Sequence, residues 1–111
     1  MAYNANLAAR VRRLLRRRKG FSEKTMFGGV GFLLGGNMCC GVLRDDVILR
    51  LGVDTAEQAL GEYGFRPFDI TWRVMRGWAM AGPPVWADPD ALKYWVRAAA
   101  SFAGSLPPKQ K

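Results

Sequence analysis

Residues 26–43, MFGGVGFLLGGNMCCGVL, decide the fold because two short apolar runs flank a glycine-rich turn. The turn, Gly35-Gly36-Asn37, tolerates the positive φ angles that tight hairpins require. A second turn at residues 44–46 leads into residues 47–51, whose side chains alternate between two faces. The pattern therefore predicts three antiparallel strands. A bulge or a close approach of two backbones is expected at the glycines before the hairpin, which are Gly28, Gly29 and Gly31.

An amphipathic helix precedes these strands. Its apolar residues recur at helical spacing and form one stripe, made of Leu7, Val11, Leu14 and Leu15. Either Asn4 or Asn6 is suited to cap it. Gly20 is suited to stop it, so the pattern predicts a helix over about residues 4–18.

The second half of the chain alternates between helices and strands. Asp54 and Glu57 have the spacing of a capping box for a short helix. Residues 63–71 are expected to form a loop, and residues 73–81 a fourth strand that residues 85–87 extend or pair with separately. Asp88-Pro89 predicts the start of a last helix, which ends near Gly104 before a Pro/Lys tail at residues 107–111.

These elements make one domain over residues 1–111. Their order is α-β-β-β-α-β(β)-α, so the fold class is α+β, a two-layer domain with an antiparallel sheet of four to five strands flanked by helices. A chain of 111 residues buries about two thirds of its unfolded surface, which is enough for one core and not for two.

The positive charge is concentrated at the start of the chain. The whole chain has a net charge of +8, and residues 1–24 contribute +7 of it, because eight basic side chains there face only Glu23. Helical spacing places five arginines opposite the apolar stripe: Arg10, Arg12, Arg13, Arg16 and Arg17. They are either contacts for phosphates or an acidic partner, or the ordinary solvated face of a helix.

The composition argues against catalysis. The chain contains no histidine, the usual general base and metal ligand. Cys39 and Cys40 are too few for a four-ligand zinc site, and in a strand their thiols are expected on opposite faces, one buried and one half-exposed. Asp45-Asp46 has the position of a hairpin turn, and Asp69 is available to pair with an arginine and hold the neighbouring loop. We therefore expect no enzyme, no cofactor and no metal site.

Four tryptophans are many for a chain of this size. Trp95 lies in the apolar stripe of the last helix and is expected in the core. Trp72, Trp78 and Trp86 cluster near the fourth strand. They are either core residues or a contact surface for a partner.

Several short motifs resemble the N-terminal domain of the TfoX/Sxy family of competence regulators. In chain order they are Met26-Phe27-Gly28-Gly29-Val30-Gly31-Phe32, Gly36-Asn37-Met38, Leu49-Arg50, Arg66-Pro67-Phe68, Met75-Arg76-Gly77-Trp78 and Ser105-Leu106-Pro107-Pro108-Lys109. The likeness spans about residues 5–109. It implies an α+β fold akin to secretion chaperones and a regulatory, non-enzymatic role linked to transcription. The first motif reads as a structural turn made by Met26, Phe27, Gly28, Gly29 and Gly31.

Taken together, the sequence predicts a cytoplasmic, non-catalytic regulatory or scaffolding module. Its longest apolar stretch, residues 30–42, is too short to span a membrane. The first expected activity is protein–protein association, with a homodimer as one form. The alternative is non-specific binding of nucleic acid by the arginines of the first helix.

Overall fold

A computed structural model describes residues 3–26, 28–69 and 74–108. The described residues form four helices and one open antiparallel sheet of six strands, in the order β1-β2-β3-β4-β6-β5. The elements are α1 (Ala5–Leu15), β1 (Phe21–Met26), β2 (Gly29–Leu34), β3 (Asn37–Leu43), β4 (Asp46–Arg50), α2 (Val53–Leu60), β5 (Phe65–Asp69), β6 (Val74–Ala81), α3 (Pro83–Trp86) and α4 (Pro89–Ser105). The α+β class is confirmed. The count of four to five strands is wrong, because the sequence pattern misses both edge strands.

The edge strands β1 and β5 carry weak sequence signals. Residues 22–25 of β1 are all exposed, so the alternation that marks a half-buried strand is absent. In β5, Pro67 favours a loop, but an edge strand tolerates proline because its outer side needs no hydrogen-bonding partner. Both strands are therefore defined by pairing with their neighbours, β2 and β6.

Asn4 caps α1, because its side-chain oxygen accepts a hydrogen bond from the Leu7 N–H at 3.0 Å. The helix ends at Leu15, before the predicted end near residue 18. One more turn of the apolar stripe would place Arg18 against the core. Gly20, with a φ of +79°, then directs the chain into β1. The buried residues of α1 are Leu7, Ala8, Val11 and Leu15.

The glycines of β2 and β3 allow the two backbones to approach closely. A Cβ atom at Gly29 would collide with the carbonyl oxygen of Val42. A Cβ atom at Gly41 would lie 2.7 Å from the carbonyl oxygen of Val30. The close approach predicted for the glycines before the hairpin is thus confirmed at Gly29.

The remaining helices confirm one predicted cap and correct another. Gly52, not Asp54, caps α2, because its φ of +85° turns the chain into the helix two residues earlier. Residues 85–87 do not extend a strand, since α3 covers most of them. Asp88 caps α4 as predicted, accepting a hydrogen bond from the Asp90 N–H at 3.0 Å, and Trp95 is buried in the core. No helix of the described segments is long and apolar enough to cross a membrane.

The two faces of the sheet are covered differently. All four helices contribute buried residues to the core on one face, with strand residues such as Phe32, Val42 and Leu49. The cluster on the other face draws, among the described residues, on strands alone. We call this second surface the helix-free face; it contains buried Ile48, Phe68 and Met80 and half-buried Leu43 and Trp78.

Cys39 and Cys40 are both buried in the helix-covered core, so the expectation of opposite faces is wrong. The pairing of β2 with β3 shifts between Phe32 and Leu33, which leaves Cys39 as an extra residue. Such a bulge redirects a side chain, and the two Sγ atoms lie 3.9 Å apart. The hydrogen bond between the thiols and their burial raise the pKa of Cys40 well above its ordinary value, which disfavours a reactive thiolate.

Candidate functional site

Arg10 contacts the body of the protein. Its Nη2 donates a hydrogen bond to the carbonyl oxygen of Trp86 at 3.0 Å, and its guanidinium carbon lies 5.8 Å from the centre of the Trp86 ring. The two contacts, one of them a cation–π interaction, join α1 to α3. The guanidinium of Arg10 is therefore engaged in contacts that hold the domain together.

Arg12 forms an ion pair within the protein. Its Nε and Nη2 donate to the two carboxylate oxygens of Glu23 in β1, at 2.6 and 2.8 Å. This two-point hydrogen bonding raises the pKa of Arg12 and lowers the pKa of Glu23. The guanidinium carbon also lies 5.7 Å from the centre of the Phe32 ring. Glu23 thus neutralises the charge of Arg12.

The basic residues between positions 13 and 19 are all exposed. Among the described residues, none of their side chains lies within ion-pair distance of a carboxylate. Five positive charges without a described partner are therefore gathered at the end of α1. We call this group the basic turn; its members are Arg13, Arg16, Arg17, Arg18 and Lys19.

The backbone beneath the basic turn is held by hydrogen bonds. The Arg18 N–H donates to the Leu15 carbonyl at 2.9 Å, and the Gly35 N–H donates to the Gly20 carbonyl at 3.0 Å. A Cβ atom at Gly20 would lie only 2.8 Å from the Gly35 nitrogen. The turn after α1 is therefore anchored to the turn between β2 and β3, and the basic side chains extend from an ordered backbone.

The structure changes which basic residues form the candidate site. Arg10 and Arg12 belong to the predicted arginine face but contact Trp86 and Glu23. Helical spacing excludes Arg18 from that face, yet the helix ends first and both Arg18 and Lys19 are exposed. The signal that could have found them is charge density, because residues 16–19 read RRRK.

Trp86 connects three parts of the helix-covered side. Its Nε1–H donates to the backbone oxygen of Asp45 at 2.8 Å, and its own carbonyl accepts from Arg10. The side chain is half-buried and packs against the core. The sequence allows Trp86 to be either a core residue or part of a contact surface for a partner. Its contacts are those of a residue that packs within the domain.

Trp78 lies on the other side of the sheet, on the helix-free face. Its ring centre is 5.5 Å from that of Phe68 and 5.4 Å from the guanidinium carbon of Arg50. Trp78 and Trp86 therefore do not share one surface, and Trp72 lies outside the described residues. The predicted tryptophan interface is reduced to Trp78 and its neighbours on the helix-free face.

The aspartates between β3 and β4 hold neighbouring segments together. Asp46 forms an ion pair with Arg66 of β5 at 2.5 Å, and the Asp45 carboxylate accepts from the Asn4 side chain at 3.1 Å. Among the described ion pairs, the one that holds the segment Arg66-Pro67-Phe68 is therefore made by Asp46 and not by Asp69. In the parts of the chain that the structure describes, no group of three or more potential metal ligands occurs.

The glycine-rich motif at residues 26–31 makes a turn between two strands. Met26 ends β1, Gly28 has a φ of +77°, and Gly29 and Gly31 pair with Met26 and Lys24 across the hairpin. Phe27 lies outside the described residues. Of the described members, Gly28 lies in the turn, whereas Met26, Gly29 and Gly31 belong to the strands on either side of it.

The described residues define a small α+β domain with an anchored basic turn and one helix-free sheet face. The sequence profile of the TfoX N-terminal domain matches residues 13–103 of the 111-residue chain. The chain therefore belongs to the TfoX N-terminal domain family, as its motifs suggest, although the last motif at residues 105–109 lies outside the matched range. No curated protein and no solved structure matches it significantly. The likeness to secretion chaperones stays a prediction.

Proposed function

We propose that this chain is a non-catalytic regulatory module that acts by associating with another protein molecule. Membership of the TfoX N-terminal domain family supports the regulatory role, and a link to transcription or competence is proposed on that basis alone. A cytoplasmic location is part of the proposal, since both cysteines are free thiols, as is usual in reducing compartments. The observation that carries association is the helix-free face.

The helix-free face offers apolar side chains that the domain covers only in part. Leu33 lies between the core residues Phe32 and Leu34 of β2, so its side chain is on the helix-free side of the sheet. Met38 is its direct partner in β3, and both residues are half-buried. Leu43 and Trp78 are likewise half-buried against the cluster of buried strand residues. Clustered apolar and aromatic side chains at a surface are typical of protein contacts.

The occupant we propose for this face is a second copy of the chain. Residues 1–24 carry +7 of the net charge of +8, and α1, which lies in that segment, packs on the opposite side of the sheet. Residues 25–111 have a net charge of only +1. Two copies can therefore meet through their helix-free faces with little electrostatic repulsion.

Sedimentation equilibrium tests this proposal over a range of protein concentrations. The wild type should form dimers, and Leu33→Gln combined with Leu43→Gln should raise the dissociation constant about tenfold or more. A matched control replaces two exposed apolar residues on helices, Val53→Gln and Tyr94→Gln, and should dimerise like the wild type. A wild type that stays monomeric at every concentration contradicts the proposal.

Non-specific binding of nucleic acid is a second candidate function, favoured by the exposed basic turn. Binding through phosphates weakens steeply with salt, whereas apolar association does not. Replacing Arg13, Arg16 and Arg17 together with glutamine should clearly weaken retention on a duplex at low salt, because only Arg18 and Lys19 of the basic turn keep their charge. Unchanged retention of that variant would count against this candidate.

A further inference from the structure

We infer that the basic turn binds the phosphodiester backbone of duplex nucleic acid, and that Glu23 limits this site by holding Arg12 away from it. The inference rests on the second candidate function. It adds the chemical group bound, the residues that bind it and a competitor within the protein. Its starting point is that five exposed cations lie beside one neutralised arginine.

The composition of the basic turn fits phosphate groups. Four of its five cations are arginines, whose planar guanidinium can donate two parallel hydrogen bonds to phosphate oxygens. Arg13 and Arg16 are three residues apart at a helix end, so their Cβ atoms are about 5–6 Å apart. A duplex presents one phosphate for about every 3.4 Å of axis along each strand. Cations at this density can contact several successive phosphates.

The surroundings of the basic turn favour duplex backbone over a membrane or a single strand. Leu7, Val11 and Leu15 are at most 1% exposed, so α1 has no free apolar face to insert into a lipid interface. Residues 8–20 contain no aromatic side chain on which an unpaired base could stack. They also contain no Asn or Gln, the side chains that pair with adenine edges. Contacts to the backbone alone make binding independent of sequence.

Glu23 occupies Arg12 in the way that a phosphate would. Its two oxygens accept hydrogen bonds from Nε and Nη2 of Arg12. The two side chains are 37% and 34% exposed, so water reaches the pair and a competing anion can replace the carboxylate. Arg12 lies one helical turn before Arg16. Removing the carboxylate of Glu23 therefore adds a sixth cation beside the basic turn.

Fluorescence anisotropy with a labelled duplex of mixed sequence tests the site between about 50 and 200 mM salt. Engagement of all five cations predicts that affinity falls about 500-fold over this range. The triple variant Arg16→Gln, Arg17→Gln, Arg18→Gln retains two of the five cations. Its affinity should therefore fall only about 10-fold between the same two salt concentrations.

A matched control removes the same charge from exposed positions elsewhere. The control variant is Arg76→Gln, Lys93→Gln, Arg97→Gln. It should keep the wild-type salt dependence, because none of its positions belongs to the basic turn. If both triple variants lose salt dependence equally, net charge and not the basic turn governs binding, and the site is wrong while the second candidate function stands.

Glu23→Gln tests whether the Glu23 carboxylate competes with phosphate for Arg12, and it should strengthen duplex binding. It should steepen the plot of log affinity against log salt by about 0.9, the contribution of one added phosphate contact. Glu57→Gln makes the same change in net charge at another exposed position and should leave the slope unchanged. An unchanged slope in Glu23→Gln overturns the role of Glu23, whatever the triple variants show.

Two further measurements distinguish the ligand class. No duplex binding by the wild type at about 50 mM salt rejects the site together with the second candidate function. Equal affinity for polyglutamate or for anionic lipid vesicles overturns the assignment to phosphodiester backbone. Thermal unfolding of each variant verifies that it is folded, and the dimer measurement on the helix-free face is independent of all these outcomes.

Discussion

Helices α1 and α4 pack side by side on the same face of the sheet, yet they present different surfaces to solvent. Each begins at a side-chain cap, Asn4 in one and Asp88 in the other, and each buries an apolar stripe. The exposed side of α4 mixes acidic and basic residues, including Asp90 and Lys93. The exposed side of α1 leads into the basic turn. Packing against the sheet therefore requires apolar residues on the inner side of each helix, whereas it places no such requirement on the outer side.

Both helices divide into residues that maintain the fold and residues that are exposed to solvent. In α1, Arg10 and Arg12 contact the body of the protein, whereas Arg13 makes no side-chain hydrogen bond or ion pair with the described residues. Variants of the inner side should change stability in both helices alike, whereas variants of the outer side should change it little.

The largest expected effect comes from truncating the buried side of either helix. Leu15→Ala in α1 and Leu92→Ala in α4 should each lower the free energy of unfolding by about 2–5 kcal/mol, because both side chains are buried and would leave cavities. Urea denaturation measures this. Tyr94→Ala, at a position 65% exposed, should change the value by less than about 0.5 kcal/mol. A far smaller loss for Leu15→Ala than for Leu92→Ala would contradict equal docking of the two helices.

The caps should give an intermediate effect. Asn4→Ala and Asp88→Ala each remove a side-chain hydrogen bond to a first-turn N–H and should cost about 0.5–2 kcal/mol of unfolding free energy. Asn4→Ala should cost more, since Asn4 also donates to the Asp45 carboxylate. Asn6→Ala is the control, because Asn6 is exposed inside α1 and is not its cap. Thermal unfolding that ranks Asn6→Ala above Asn4→Ala would show the cap to be misplaced.

The smallest expected effect concerns the ion pair that joins α1 to β1. Glu23→Gln should cost about 0.2–1 kcal/mol at neutral pH, the usual range for an exposed pair. Arg12 lowers the pKa of Glu23 in the folded protein, so the contribution is fully present above the unfolded pKa. It is lost as the pH falls through the lower folded pKa. Denaturation of wild type and variant from neutral to acidic pH should therefore show a difference that disappears in acid, and a difference that grows in acid would contradict the pairing.

Local features of the fold could be predicted because neighbouring residues create them. The Asp88 cap, the glycine turn at residues 35–36 and the apolar stripes follow from short spacings, whereas the sequence leaves Asn4 and Asn6 as alternative caps of α1 and the structure selects Asn4. The cap assigned to Asp54 was wrong because the positive φ of Gly52 starts α2 earlier. The edge strands β1 and β5 were not predicted, because they form by pairing with their neighbours β2 and β6 and carry no alternating apolar pattern.

The sequence by itself determined the α+β class, the family motifs and the concentration of positive charge near the start of the chain, since composition and short-range spacing suffice for these. Only the tertiary structure decided which cations remain available. Glu23 and Trp86, distant from the helix face in sequence, take up Arg12 and Arg10, and the early end of α1 adds Arg18 and Lys19 to the exposed group. Whether a charge is compensated depends on which side chains meet in space, and one-dimensional spacing does not contain that information.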